Sequence, residues 1–147
     1  MPATILDGRK LSTEIRTELV KRVDALSVRG VTPTIAGILV GDDAGSASYV
    51  RLKEKAAGEV GLRSEMTRLS QDVTQKDLLR RVRELNERDD VHGIFVQLPL
   101  PPGLDENAAL ETVLPAKDVD GFHPMSVGRS WLGQPSFVPA TPAAVLE

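Results

Sequence analysis

Cysteine is absent from the 147 residues. Its absence excludes a disulfide framework, a thiol nucleophile and a thiolate zinc site. Histidine occurs only at His92 and His123, too few for a histidine-rich metal site, and no metal is expected. A basic surplus is also missing. Eighteen Lys and Arg face 21 Asp and Glu, for a net charge of −3, so no basic field invites nucleic acid. No apolar run approaches the roughly 20 residues that span a bilayer. The opening MPATILDGRK lacks a secretory pattern. These absences predict a soluble cytoplasmic protein without a nucleic-acid or membrane partner. The length suffices for one domain with a real core.

Helical and extended patterns alternate along the chain. Leu11, Ile15, Leu19, Val23 and Leu26 recur at helical spacing, and Gly30 is a plausible stop. TIAGILVG, Thr34 to Gly41, is an apolar, β-branched run suited to a strand buried on both faces. SYVRLKEKAAGEVG, Ser48 to Gly61, reads as a helix. Ser64 to Leu69 is a weaker strand, placed nearer an edge. Thr74 and Asp77 resemble a capping box before the stripe Leu78, Leu79, Val82 and Leu85. GIFV, Gly93 to Val96, is a third strand, and Asp105 is placed to cap a helix through Leu114. Thr141 and Pro142 suit the N-cap and first position of a last helix. The order α-β-α-β-α-β-α predicts an α/β fold: a three-layer α/β/α domain with a mostly parallel sheet. A single final turn is unstable alone, so the natural protein is expected to continue beyond it.

One residue of the second helix is out of place. At about 100° per residue, Leu52, Lys53, Ala56, Ala57 and Val60 all fall within roughly 80° of Tyr49. Arg51, Glu54, Lys55 and Gly58 take the opposite face. Lys53 therefore lies inside the apolar stripe. Either its stem carries the ammonium out to water, or it is a partly dry lysine able to exchange protons. Tyr49, one turn earlier, is either core packing or a ring to stack on a flat heterocycle. Gln97 ends a strand before VQLPLPPG turns away, and ligands of open parallel sheets bind beyond the carboxyl ends of strands. It serves a ligand or the loop backbone. In KDVDGFHP, Asp118 and Asp120 read as turn formers, or as a carboxylate able to hold a pair of N–H groups. GDDAGSAS lacks the G-x-G-x-x-G spacing and the Walker lysine, so it is a helix-start loop in which Ser46 is a cap or a ligand contact. His92 is expected at the surface and Trp131 in core or hinge packing.

YVRLKEK, VQLPLP, KDVDGFHP, SVGR and PATP occur in this order along essentially the whole chain. The ordered set resembles the N-terminal domain of the bifunctional methylenetetrahydrofolate dehydrogenase/methenyltetrahydrofolate cyclohydrolase. The resemblance implies NADP-dependent oxidation of methylenetetrahydrofolate to the methenyl form, then hydrolysis to formyltetrahydrofolate. It implies a folate cleft between two domains, with Lys53 catalytic and Tyr49 stacked on the folate rings. Gln97 tunes Lys53, and Asp120 anchors the pterin. Val96, Leu98 and Pro99 line the folate, with Ser46 close by. It also implies tetrahydrofolate derivatives as partners and a homodimer for the full-length protein.

One departure accompanies the likeness. The family's NADP binds a second, Rossmann-like domain whose glycine-rich phosphate loop has no match here. Residues 1–141 are then the catalytic domain, and 142–147 begin the helix leading to an NADP-binding domain outside this chain. The isolated chain should lack dehydrogenase activity and bind folate weakly. The competing reading is a stand-alone α/β ligand-binding or interaction module. A member that dehydrogenates but hydrolyses poorly is a third.

Overall fold

Seven residues, Thr34–Val40, form the central strand β1, and every one except Ile35 is buried. A computed structural model describes residues 6–146. The readings that fall on residues 1–5 and on Glu147 lie outside the described residues. β1 pairs in parallel with β2 (Arg63–Leu69) on one side and β3 (Gly93–Val96) on the other, giving the order β2-β1-β3. β2 is an edge strand with half-buried residues, as its mixed sequence predicts.

Alternation along the strands assigns the two faces. Ala36, Ile38 and Val40 of β1 share one cluster with Ile94 and Val96 of β3. Over them lie Leu78, Val82 and Leu85 of α3 (Gln75–Asn86), with Ala109 of α4 (Glu106–Thr112) and Val113 just after it. Leu39 and Phe95 face the other way, with Ile35 and Met66, against Ala47 and Val50 of α2 (Ala44–Glu59). Gly37 makes that second face possible: a Cβ there would overlap the Met66 sulfur and the Phe95 ring. The result is the expected three-layer α/β/α arrangement. α2 connects β1 to β2 and α3 connects β2 back to β3. The reversal of direction puts the two helices on opposite faces when both crossovers keep one hand.

The caps agree with the sequence in two places. Thr74 accepts the Asp77 N–H at 3.1 Å and starts α3, and Asp105 accepts the Ala108 N–H at 3.0 Å and starts α4. α4 stops at Thr112, two residues before the expected Leu114. α1 (Gly8–Val28) follows the predicted stripe, capped by Asp7, and Gly30 turns the chain with φ +76°.

Four expectations need correction. The buried line of α2 is Ser46, Val50, Ala57 and then Val60, with Lys53 at its centre; Tyr49 and Leu52 are 65% and 63% exposed. The stripe was centred one flank too far round, because alanine carries too little apolar weight to fix its direction. A fifth helix, α5 (Pro124–Trp131), was not foreseen; His123 caps it, accepting the Met125 N–H at 2.9 Å. Trp131 is 91% exposed, so it packs in no core. The last helix, α6 (Ala140–Leu146), starts before Thr141, with Pro142 inside its first turn where an N–H has no partner to lose. No helix among the described residues is long and apolar enough to cross a membrane.

Candidate active site

The strand order reverses at β1, and open parallel sheets bind their ligands at such a point, beyond the carboxyl ends of the strands. α2 begins beside it. The Asp43 side chain accepts the Ser46 N–H at 2.7 Å and caps the helix, so Asp43 takes the role given to Ser46 as a cap. That bond holds the Asp43 carboxyl below the usual carboxylate value. Ser46 itself is buried, and its Oγ has no hydrogen-bond partner among the described residues.

Two turns into α2, Lys53 meets a residue 67 positions away. Its Nζ lies 3.0 Å from Asp120 Oδ2 and 3.2 Å from Oδ1. The same ammonium stands 4.0 Å over the centre of the Phe95 ring, a cation–π contact. The Lys53 side chain is 39% exposed, neither fully in water nor fully buried. It is a charged group held between a carboxylate and an aromatic face. Lys55 points the other way, 74% exposed, as the helical register predicts.

Gln97 extends the β3 pairing by donating its N–H to Ile38 O at 2.9 Å. Its side-chain Nε2 donates to Leu98 O at 2.7 Å, while Oε1 is buried with no partner among the described residues. Gln97 is not hydrogen-bonded to Lys53. Val96 is core, Leu98 half-buried and Pro99 exposed, with a cis Leu98–Pro99 bond. Lys53 and Asp120 stand on the wall of a cavity of about 570 Å³, lined also by Ile15 and Leu19 of α1, Ala57 of α2, and Phe95. A second cavity of about 420 Å³ shares Lys53 and adds Tyr49 and Leu52. The fold thus joins Lys53 to Asp120 directly and to Tyr49 through a shared cavity. Gln97 and Ser46 line neither cavity.

Sequence reasoning missed two contributors, Phe95 and Lys117, and left two readings open for Asp118. Phe95 was read only as part of a buried strand. Asp118, 4% exposed, accepts the N–H groups of Gly121, Phe122 and His123 at 3.1, 3.3 and 2.9 Å. Lys117 donates Nζ to Asn86 O and Arg88 O at 2.8 and 2.7 Å, past the end of α3. The run KDVDG was the available signal, but the partners of Lys117, 29 and 31 residues away, are invisible to local spacing.

The family model for the catalytic domain of tetrahydrofolate dehydrogenase/cyclohydrolase matches residues 6–120. Bifunctional protein FolD of Bacillus licheniformis is 48% identical over all 147 residues, which cover 52% of its length. The FolD protein of Oleidesulfovibrio alaskensis is 52% identical over 143 residues, 97% of this chain and 50% of its own. The crystal structure of the bifunctional FolD from Campylobacter jejuni superposes with a TM-score of 0.95 at 44% identity, over 97% of this chain and 51% of that one. The Trypanosoma brucei methylenetetrahydrofolate dehydrogenase-cyclohydrolase, solved with NADP cofactor and inhibitor, gives 0.92 at 41% identity, over 99% of this chain and 51% of that one. The chain spans about half the length of the curated relatives it matches. With the fold, the length of the match and the identity in agreement, this chain belongs to the tetrahydrofolate dehydrogenase/cyclohydrolase family, whose catalytic domain it matches.

Proposed function

We propose that this chain is the folate-binding catalytic half of an enzyme of one-carbon metabolism. The whole protein oxidises 5,10-methylenetetrahydrofolate with NADP and hydrolyses the methenyl product to formyltetrahydrofolate. The observation that carries the reading is the Lys53–Asp120 pair, joined across 67 residues at the mouth of an apolar cavity. A carboxylate there can accept the paired N–H groups on the pyrimidine edge of a pterin. Accepting them draws Asp120 away from Lys53 and leaves Nζ free for the reacting centre. Hydrolysis adds water to the amidinium carbon of the methenyl bridge. The new C–O bond forms as the water loses a proton; the C–N bond then breaks as its nitrogen takes one up and the hydroxyl gives up its own proton to become the formyl carbonyl, so one proton is released overall. Lys53 is the group placed to guide that water and carry the proton. Tyr49, exposed one turn earlier, is available to stack on the folate. Gln97 Oε1 and Ser46 Oγ, buried with no hydrogen-bond partner among the described residues, are polar atoms that a ligand at this end of the sheet can satisfy.

NADP does not fit the residues of this chain. At the N-terminus of α2, which follows β1, the Ser46 N–H is already taken by the Asp43 carboxylate, whose charge repels a pyrophosphate. Residues 1–141 serve as the catalytic domain, and 142–147 begin the helix leading to the NADP-binding part of the longer protein. A homodimer of that longer protein rests on the family resemblance.

Lys53→Met in the full-length protein tests the reading. Methenyl hydrolysis should be lost while circular dichroism stays unchanged. Unchanged turnover would sink the assignment.

A further inference from the structure

We propose that Asp118 is a positioning residue that aims Asp120 at the substrate; the proposal rests on the reading of Asp120 as the pterin anchor. Asp118 is a buried carboxylate, and no ion pair of the described residues includes it. Burying a charge without a cation is costly unless donors replace the water. Here three consecutive backbone N–H groups do so: Gly121 and Phe122 donate to Oδ1, and His123 donates to Oδ2. The carboxylate thereby closes a ring of backbone, and Asp120 lies inside that ring.

The ring is fixed on its other sides too. Asp118 bridges Ile94 of β3 in parallel, and the Ile94 N–H donates to Lys117 O at 2.7 Å. Val119 packs beside Phe95, in space that a Cβ on Gly93 would fill. Gly121 turns at φ +71°, where a Cβ would come within 2.9 Å of Phe137 O. With residues 118, 119 and 121 all held, Asp120 has little freedom except toward Lys53. A plain turn former needs only one side-chain bond to the backbone. The three bonds of Asp118 hold a direction, and direction is what paired N–H recognition requires.

The test is a double-mutant cycle in the full-length protein, comparing Asp118→Asn, Asp120→Asn and the double variant. KM and kcat for hydrolysis of 5,10-methenyltetrahydrofolate are measured beside thermal unfolding. Asparagine keeps an oxygen for Gly121 and Phe122 and loses the bond to His123. Asp118→Asn should raise KM about tenfold alone and add nothing in the Asp120→Asn background. Loss of thermal stability with KM unchanged, or additive effects on KM, would overturn the proposal. If Asp120→Asn leaves KM unchanged, the pterin reading itself fails and takes the proposal with it. Should Asp118→Asn not fold, His123→Pro removes the same bond from the donor side together with the His123 cap on Met125, and His123→Ala, which loses the cap alone, is its control. The backbone there already has φ −62°, and the same non-additivity is expected.

Discussion

Lys53 has two unlike partners, and their energetics differ from their importance. Its ion pair with Asp120 is partly exposed, and such pairs contribute under about 1 kcal/mol to stability. The Phe95 ring adds a contact of similar size. The arrangement is therefore better understood as aiming an ammonium than as holding the fold. Lys55 provides the control. It lies on the opposite face of the same helix, with only a long contact of 3.8 Å to Glu59. Lys55→Met should leave hydrolysis within about twofold of wild type and unfolding within about 0.5 kcal/mol. Measuring both rates side by side checks the register; an inactive Lys55→Met would mean that the wrong lysine has been assigned. The position of Lys53 within an apolar stripe was legible from spacing alone. Its meeting with Asp120 and Phe95 was not, because nothing in a helical repeat refers to residues 42 or 67 positions away.

At the level of elements, the ends were easier to read than the faces. A cap depends on a side chain and an N–H two or three residues apart, so Thr74 and Asp105 declared α3 and α4 in the sequence. Thr74→Ala should cost about 1 kcal/mol, read as a lower urea midpoint at unchanged slope. β2 brings a second, pH-dependent contribution. Arg88 donates to both Glu65 oxygens, at 2.7 and 3.2 Å, and holds that carboxyl below its ordinary value. A carboxyl depressed in the folded state stabilises it above the unfolded value, and that contribution fades as pH falls through the folded one. Glu65→Gln should therefore destabilise the protein at neutral pH, with the difference from wild type shrinking toward about pH 3. A difference independent of pH in urea titrations would remove Arg88 and Glu65 from the account of acid stability. α5 escaped prediction because its eight residues mix glycine, serine and arginine with no long stripe, and its start rests on a histidine cap.

For the whole molecule, the sheet decides what meets what. The order β2-β1-β3 places the ends of β1 and β3 side by side, and the bridge from Ile94 to Asp118 brings the KDVDG run alongside them. Because the α2 N-terminus is already capped by Asp43, this chain should show no saturable NADP binding by calorimetry, whereas the full-length protein should. Tight NADP binding by the 147 residues alone would refute the division of labour between two domains. By itself the sequence determined the type and order of most elements, two of the helix caps, the lack of a phosphate loop and the family likeness. Each of these depends on residues a few positions apart or on a whole ordered set of motifs. Only the tertiary structure decided which side of α2 is buried, that Lys53 and Asp120 touch, that Gln97 turns to Leu98, and that the Asp118 carboxylate closes the loop. Those facts follow from strand order and register, which bring together side chains whose separation along the chain carries no periodic signal.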